Sequence, residues 1–396
     1  MNADTSAGGP PATAGRAGIA STGDLPRTQV PPEQPPAPSH MLKRAVVFDR
    51  LRILYVPVPK AGCTALLWSL ARAAGLTESV FVKSAGREVS RALTIHDTWR
   101  WPAAFKFGER SSDERERLLA DDRWLRFTVA RHPVRRLWSA WQSKVLLAEP
   151  QFVAKFSSQP WWPGPVRSAS EVLKAFRDFM DALVAEPELV RSDVHWAPQV
   201  ELIGSGLVPY AHIGQVEKLD ETLDRVREHL REIPGAVLPD LWRTNVSPLP
   251  YVDELFTESD VRFLDEMYGD DIREFGYQAL SPGKVGNPVP DSWMDTVDRV
   301  APALVELRDR NERVADLHDV AKARGQLVAE AKRRKNRATK LRWEEHRRNQ
   351  RLQERLENTT TEIRRMRKSR TWRYAAPLRT VGRKVRRVRR ALRRLR

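Results

Sequence analysis

A single cysteine, Cys63, stands in 396 residues. That excludes an intramolecular disulfide framework and a cysteine-rich zinc module. No apolar run approaches the roughly 18 residues that a membrane span needs, and the first 40 residues hold no apolar segment of the kind a secretory signal carries. The expectation is a soluble, cytoplasmic protein in a reducing compartment. No His, Cys, Asp or Glu cluster has metal-ligand spacing, so no metal is expected. Acidic residues are missing altogether from Ile363 to Arg396, a stretch with 16 Lys and Arg. Taking those 16 from the formal charge of +17 leaves the first 362 residues at +1. The basic character therefore belongs to a tail, separate from whatever does chemistry.

Residues 1–41 are rich in Pro, Ala, Gly and Ser and poor in large apolar side chains, which predicts a disordered N-terminus. Residues 42–285 read as one mixed α/β domain. Apolar strands are expected at Ile53–Val58 and Leu125–Ala130, each running into a helical pattern, and a third at Tyr210–Gly214 before the amphipathic run Leu219–Leu230. Strand-then-helix units predict a parallel sheet flanked by helices. Residues 286–302 read as a linker. Residues 303–370 hold no proline, and Val300, Leu307, Val314, Ala321 and Val328 recur every seven residues. The second seam is filled by Asn311, His318 and Gly325, so a long charged helix or weak coiled coil is expected, through which the chain would form a homo-oligomer. From Leu378 the apolar residues are spaced alternately three and four apart between Arg and Lys, as in a basic amphipathic helix over 371–396.

Two segments carry candidate chemistry. Val58-Pro59-Lys60-Ala61-Gly62-Cys63-Thr64 joins a strand to a helix. A small-residue loop opening a helix presents N–H groups and a positive dipole end to an anion, with Lys60 adding a charge and Thr64 a hydroxyl. The order is not that of the Walker pattern, because the lysine precedes the glycine. Taken alone, the segment is equally a tight turn with a surface lysine. The second segment, Arg126 to Trp141, ends a strand at Arg131, places Pro133 where a helix starts, and brings Ser139 about two turns in. Arg131 points toward the crevice where open α/β sheets bind ligands, and its fork suits a phosphate. Arg135 and Arg136 read as a solvated face.

Together these segments resemble the nucleotide-binding pair of sulfotransferases. Asp193-Val194-His195-Trp196-Ala197-Pro198-Gln199, Tyr210 to Leu219 and Asp270 to Tyr277 follow in the family's order. They narrow the resemblance to carbohydrate sulfotransferases of the HNK-1 and chondroitin/dermatan type across roughly 42–280. The resemblance implies a P-loop-like sulfotransferase fold and 3′-phosphoadenosine 5′-phosphosulfate as donor. Pro59, Lys60, Ala61, Gly62, Cys63 and Thr64 would hold its 5′ end, and Arg131 and Ser139 its 3′-phosphate. Asn245, in Arg243-Thr244-Asn245-Val246-Ser247, would close near the nucleotide, or be a turn. The implied reaction is in-line sulfuryl transfer to a hydroxyl of a carbohydrate or glycoconjugate acceptor, assisted by Lys60 and a general base. His96, between the two nucleotide segments, and His195 are the rival bases, with a carboxylate as the third option. Missing anchor and paired cysteines fit a bacterial enzyme.

Trp161 and Trp162, flanked by prolines, are candidates for stacking on sugar faces. The tail's apolar stripe favours an anionic membrane surface over nucleic acid, which needs no such stripe. The competing readings are a catalytically inactive nucleotide-binding scaffold with a polyanion-binding tail, and a nucleotide kinase.

Overall fold

The computed structural model describes residues 42–82, 91–241, 247–280, 283–368, 383–387 and 390. The expected disordered N-terminus, Asn245 and most of the expected basic tail lie outside the described residues.

Four strands form one sheet in the order β1 (Val46–Phe48), β2 (Ile53–Val56), β3 (Leu125–Ala130) and β4 (His212–Gln215). β2, β3 and β4 are parallel, with Tyr55 opposite Phe127 and Phe127 opposite His212. β1 lies antiparallel on β2, so the sheet is parallel-dominated and not wholly parallel as expected. Three residues are too few to show a strand period. β2 and β3 are buried along almost their whole length, which is why they read as continuous apolar runs. The third expected strand starts later, at His212, because Tyr210 turns away to donate its hydroxyl to the Ile203 carbonyl (2.6 Å).

Each parallel strand runs into a helix: α1 (Cys63–Ala73) after β2, α3 (Pro133–Trp141) after β3 and α7 (Leu219–Arg231) after β4. Between them lie α2 (Ser112–Ala120), α4 (Pro150–Phe156), α5 (Ala169–Ala185) and α6 (Gln199–Ile203). α8 (Glu258–Glu274) and α9 (Asp291–Lys368) follow. One core joins the sheet to α1 and α7, through Leu66, Leu70, Leu223 and Val226. β4 crosses α7 so closely that a Cβ on Gly214 would stand 2.0 Å from Thr222 Oγ1. A second core is aromatic, with Trp138 and Trp141 of α3 against Phe176 and Phe179 of α5, Tyr268 of α8 and Trp293 of α9.

α9 begins inside the stretch expected as a linker and continues through Pro302. The chain divides into compact units Met1–Ala315 and Asp316–Arg396, so the first unit extends past the expected boundary at 285. The reason is a buried stripe of Trp293, Val297, Ala301, Leu304, Arg308 and Ala315. It is not the sevenfold seam read from the sequence: Leu307 and Val328 on that seam are exposed. In the second unit, residues 319–366 are exposed throughout. Among the described residues no helix is long and apolar enough to cross a membrane.

Candidate active site

The loops leaving the carboxyl ends of β2, β3 and β4 build the site, at the edge where open α/β sheets bind ligands. After β2 the chain turns through Pro57–Gly62 into α1. Lys60 (φ 68°) and Gly62 (φ 76°) both adopt the left-handed conformation. Gly62 caps the start of α1, where a side chain would have room beside Val216 Cγ2 at 3.4 Å but would be strained by the positive φ. Lys60 Nζ donates to Ser143 Oγ (3.0 Å). Burial, reinforced by the neighbouring Lys144 ammonium, lowers the Lys60 pKa to about 7. Burial pushes the Cys63 thiol up, so it is a thiol packed in the loop.

Arg131 ties this loop to the next strand. Its backbone N–H donates to Gln199 Oε1 (2.9 Å), and Gln199 Nε2 donates to its carbonyl (2.7 Å). Its guanidinium Nη1 donates to the Lys60 carbonyl (3.2 Å). Ser139 is buried on α3, with its Oγ 2.7 Å from Ser247 Oγ. Asn245, close by in the chain, is outside the described residues. Arg136 corrects the reading of a solvated face: it is fully buried. Its Nε donates to Pro59 O (3.0 Å), Nη1 to Ala197 O (2.9 Å) and Nη2 to Val194 O (2.7 Å). Arg135 is exposed as expected, with its guanidinium over the Tyr251 ring.

The two candidate histidines differ in what holds them. His96 Nε2 lies 2.8 Å from Thr64 Oγ1. His195 Nδ1 lies 2.6 Å from Asp193 Oδ1, and its ring meets the edge of Phe152. Burial, with Arg44 and Lys144 next, lowers His96 to about 3. Burial and Lys144 lower His195 to about 4 against the opposing pull of Asp193, whose carboxyl that histidine holds well below the usual range. Both rings are therefore neutral at pH 7.

Lys144 and Glu149, which the sequence reading passed over, form a buried ion pair that bears on Lys60, His96 and His195. Lys144 and Ser143 sit in a π-helical turn, Gln142–Leu146, that extends α3. π turns widen a helix by one residue and recur at functional sites.

The remaining segments brace these loops. Asp271 accepts from the backbone N–H of Gln199 and of Val200 (both 2.9 Å) and from Gln199 Nε2 (3.0 Å). Tyr277 donates to Glu217 Oε2 (2.8 Å), and His132 Nε2 meets the Gln278 carbonyl (2.9 Å). Trp161 is not a sugar platform: it is buried against Phe156 and Phe179. Trp162 is half-buried beneath the Arg308 guanidinium. Among the described residues no group of three His, Cys, Asp or Glu is placed to hold a metal ion.

Human carbohydrate sulfotransferase 14 is 27% identical to this chain over 215 residues, 52% of each. Human carbohydrate sulfotransferase 8 is 26% identical over 190 residues, 46% of this chain and 42% of that one. Mouse carbohydrate sulfotransferase 12 is 25% identical over 268 residues, 61% of each. The chain spans about half the length of the curated relatives it matches. No solved structure gives a significant match. The sequence model described as Sulfotransferase family matches residues 43–278, which take in every strand and all three loops at their carboxyl ends, and the chain belongs to that family.

Proposed function

We propose that the protein transfers a sulfuryl group from 3′-phosphoadenosine 5′-phosphosulfate to a hydroxyl of a carbohydrate or glycoconjugate. The carbohydrate acceptor follows the relatives' names. The observation that carries the reading is the hydrogen bond from the Arg131 guanidinium to the Lys60 carbonyl, which brings two cationic residues together at neighbouring strand ends. A nucleotide with charge at both its 5′ and 3′ positions needs such a pair. The amides opening α1 and the Lys60 ammonium would hold the 5′ side, and Arg131 with Ser139 the 3′-phosphate. When bound, the donor supplies the sulfuryl group. The Lys60 ammonium would neutralise negative charge developing on the leaving phosphate, and Arg136 keeps the loop in place through the Pro59 carbonyl. His195 is the favoured base: Asp193 orients its Nδ1, leaving Nε2 to take the acceptor's proton, whereas His96 Nε2 is engaged with Thr64.

The test is thermal unfolding of the full chain with adenosine 3′,5′-bisphosphate against ATP. At 100-fold excess over Kd a ligand specific for the folded state stabilises by about 2.7 kcal/mol. That gain is expected with the bisphosphate and is expected to disappear in Lys60→Ala and Arg131→Ala. A response that survives in both variants, or an equal response to ATP, would remove the donor assignment.

A further inference from the structure

The π turn that carries Ser143 and Lys144 is held from outside the family-matched region. A helix end leaves its last carbonyls without helical donors. Here Arg308 Nη1 donates to Val145 O (3.1 Å) and Leu146 O (2.9 Å), and Asn311 Nδ2 donates to Leu147 O (2.7 Å). Arg308 Nη2 reaches on to Pro163 O (2.5 Å). Two side chains of α9 thus take three consecutive carbonyls. Arg308 is only 2% exposed, and its Nε lies 2.9 Å from Glu312 Oε1 as an ion pair without hydrogen-bond geometry, so its bonds are those of Nη1 and Nη2. A guanidinium this deep is destabilising unless its bonds are made, so its place is specific.

The chain beyond the turn is strained. Ala148 adopts φ 48°, a left-handed conformation uncommon for a residue with a Cβ, and it brings Glu149 back to pair with Lys144. Such a turn persists where its surroundings over-determine it. At its other end Ser143 Oγ accepts from Lys60 Nζ (3.0 Å). The path from α9 to the donor loop is therefore one of direct contacts: Arg308 and Asn311 to the turn's carbonyls, the turn to Ser143, and Ser143 to Lys60.

We infer that Arg308 and Asn311 are positioning residues for the 5′ side of the donor site: by fixing the π turn they set where Ser143 and Lys144 stand against the Lys60 ammonium. The inference rests on the donor assignment proposed above. It makes the start of α9 part of the working site, although the family match ends at residue 278.

The test compares two ligands on full-length variants. Adenosine 3′,5′-bisphosphate engages both sides of the site, and adenosine 3′-monophosphate only the Arg131–Ser139 side. In Arg308→Met and Ser143→Ala, bisphosphate affinity is expected to fall about tenfold, the scale of one lost charge-assisted bond. Monophosphate affinity stays within about twofold, since it bypasses Lys60. Arg308→Lys, which keeps a cation but fewer donors, restores part of the loss. If Arg308→Met fails to fold, Asn311→Ala removes a single bond and is expected to show the same selective loss at about threefold. Unchanged bisphosphate affinity in a folded variant overturns the inference, and so does an equal loss of both ligands, which is general loosening. A wild-type chain that binds neither nucleotide instead overturns the donor assignment, and the inference falls with it.

Discussion

Lys60 and His195 are displaced from their ordinary protonation ranges in the same direction, both toward the neutral form, and this shapes the pH response. Lys60, faced by Lys144, Glu149, Arg131 and Cys63, is held at about 7 instead of 10.5. His195, faced by Lys144, Asp193 and Glu149, is held at about 4 instead of 6.5. In the proposed reaction a base must be neutral, so His195 would work above about 4; an anion-binding lysine must be charged, so Lys60 would work below about 7. The expected kcat/KM profile, which reports the free enzyme, is a bell with limbs near those two values. His195→Ala is expected to abolish transfer while leaving bisphosphate affinity intact. An acid limb near 6.5 in the wild type would remove the depressed pKa of His195, and normal single turnovers in His195→Ala would remove the histidine from the reaction. Lys60, Thr64 and Arg131 stand at strand-to-helix junctions and Ser139 two turns into α3, the placements that the sequence spacing predicts. Arg136 was not legible, because one arginine beside another on a helix does not show which of them faces inward. Lys144 and Glu149 were hidden by the π turn, which shifts the helix faces that spacing would assign.

β2 and β3 were plain from their apolar runs, and each helix that follows a parallel strand was plain from its pattern. β1 was not, since its three residues carry no period. β4 was recognised, but its close approach to α7 was invisible without the fold. Gly214→Ala would drive a methyl to 2.0 Å from the buried Thr222 Oγ1 and 3.2 Å from Thr222 Cβ. Overpacking of this kind destabilises by about 1–3 kcal/mol or more. The lowered midpoint of urea unfolding is expected to recover in part when Thr222→Ala is added. Wild-type stability in Gly214→Ala would mean that β4 and α7 stand further apart. The buried stripe of α9 escaped notice because Arg308 interrupts its apolar positions, whereas a more regular but exposed seam lay beside it.

The change of composition after residue 302 marked a two-part chain, and the charge count separated a nearly neutral body from a basic end. The boundary was misplaced because Pro302 reads as a stop, while packing in the second core carries the helix through it. A chain ended at Ala315 is expected to unfold cooperatively and to keep its response to adenosine 3′,5′-bisphosphate. One ended at residue 285 loses Trp293, Val297 and Leu304 from the core. Deleting a single large core side chain costs about 2–5 kcal/mol, so losing three rivals the whole stability of a typical domain, about 5–15 kcal/mol. Far-UV and near-UV circular dichroism of the two lengths decide: native near-UV signal in the shorter chain would place α9 outside the fold.

Neighbouring strands follow one another in the chain, so during synthesis each finds its partner already emerged. The clamp on the π turn is different, because Arg308 is translated long after Lys60. At about 5–20 residues per second the interval is on the order of 10–50 s. For that time the nascent chain carries the Val145, Leu146 and Leu147 carbonyls without the two side chains of α9 that take them.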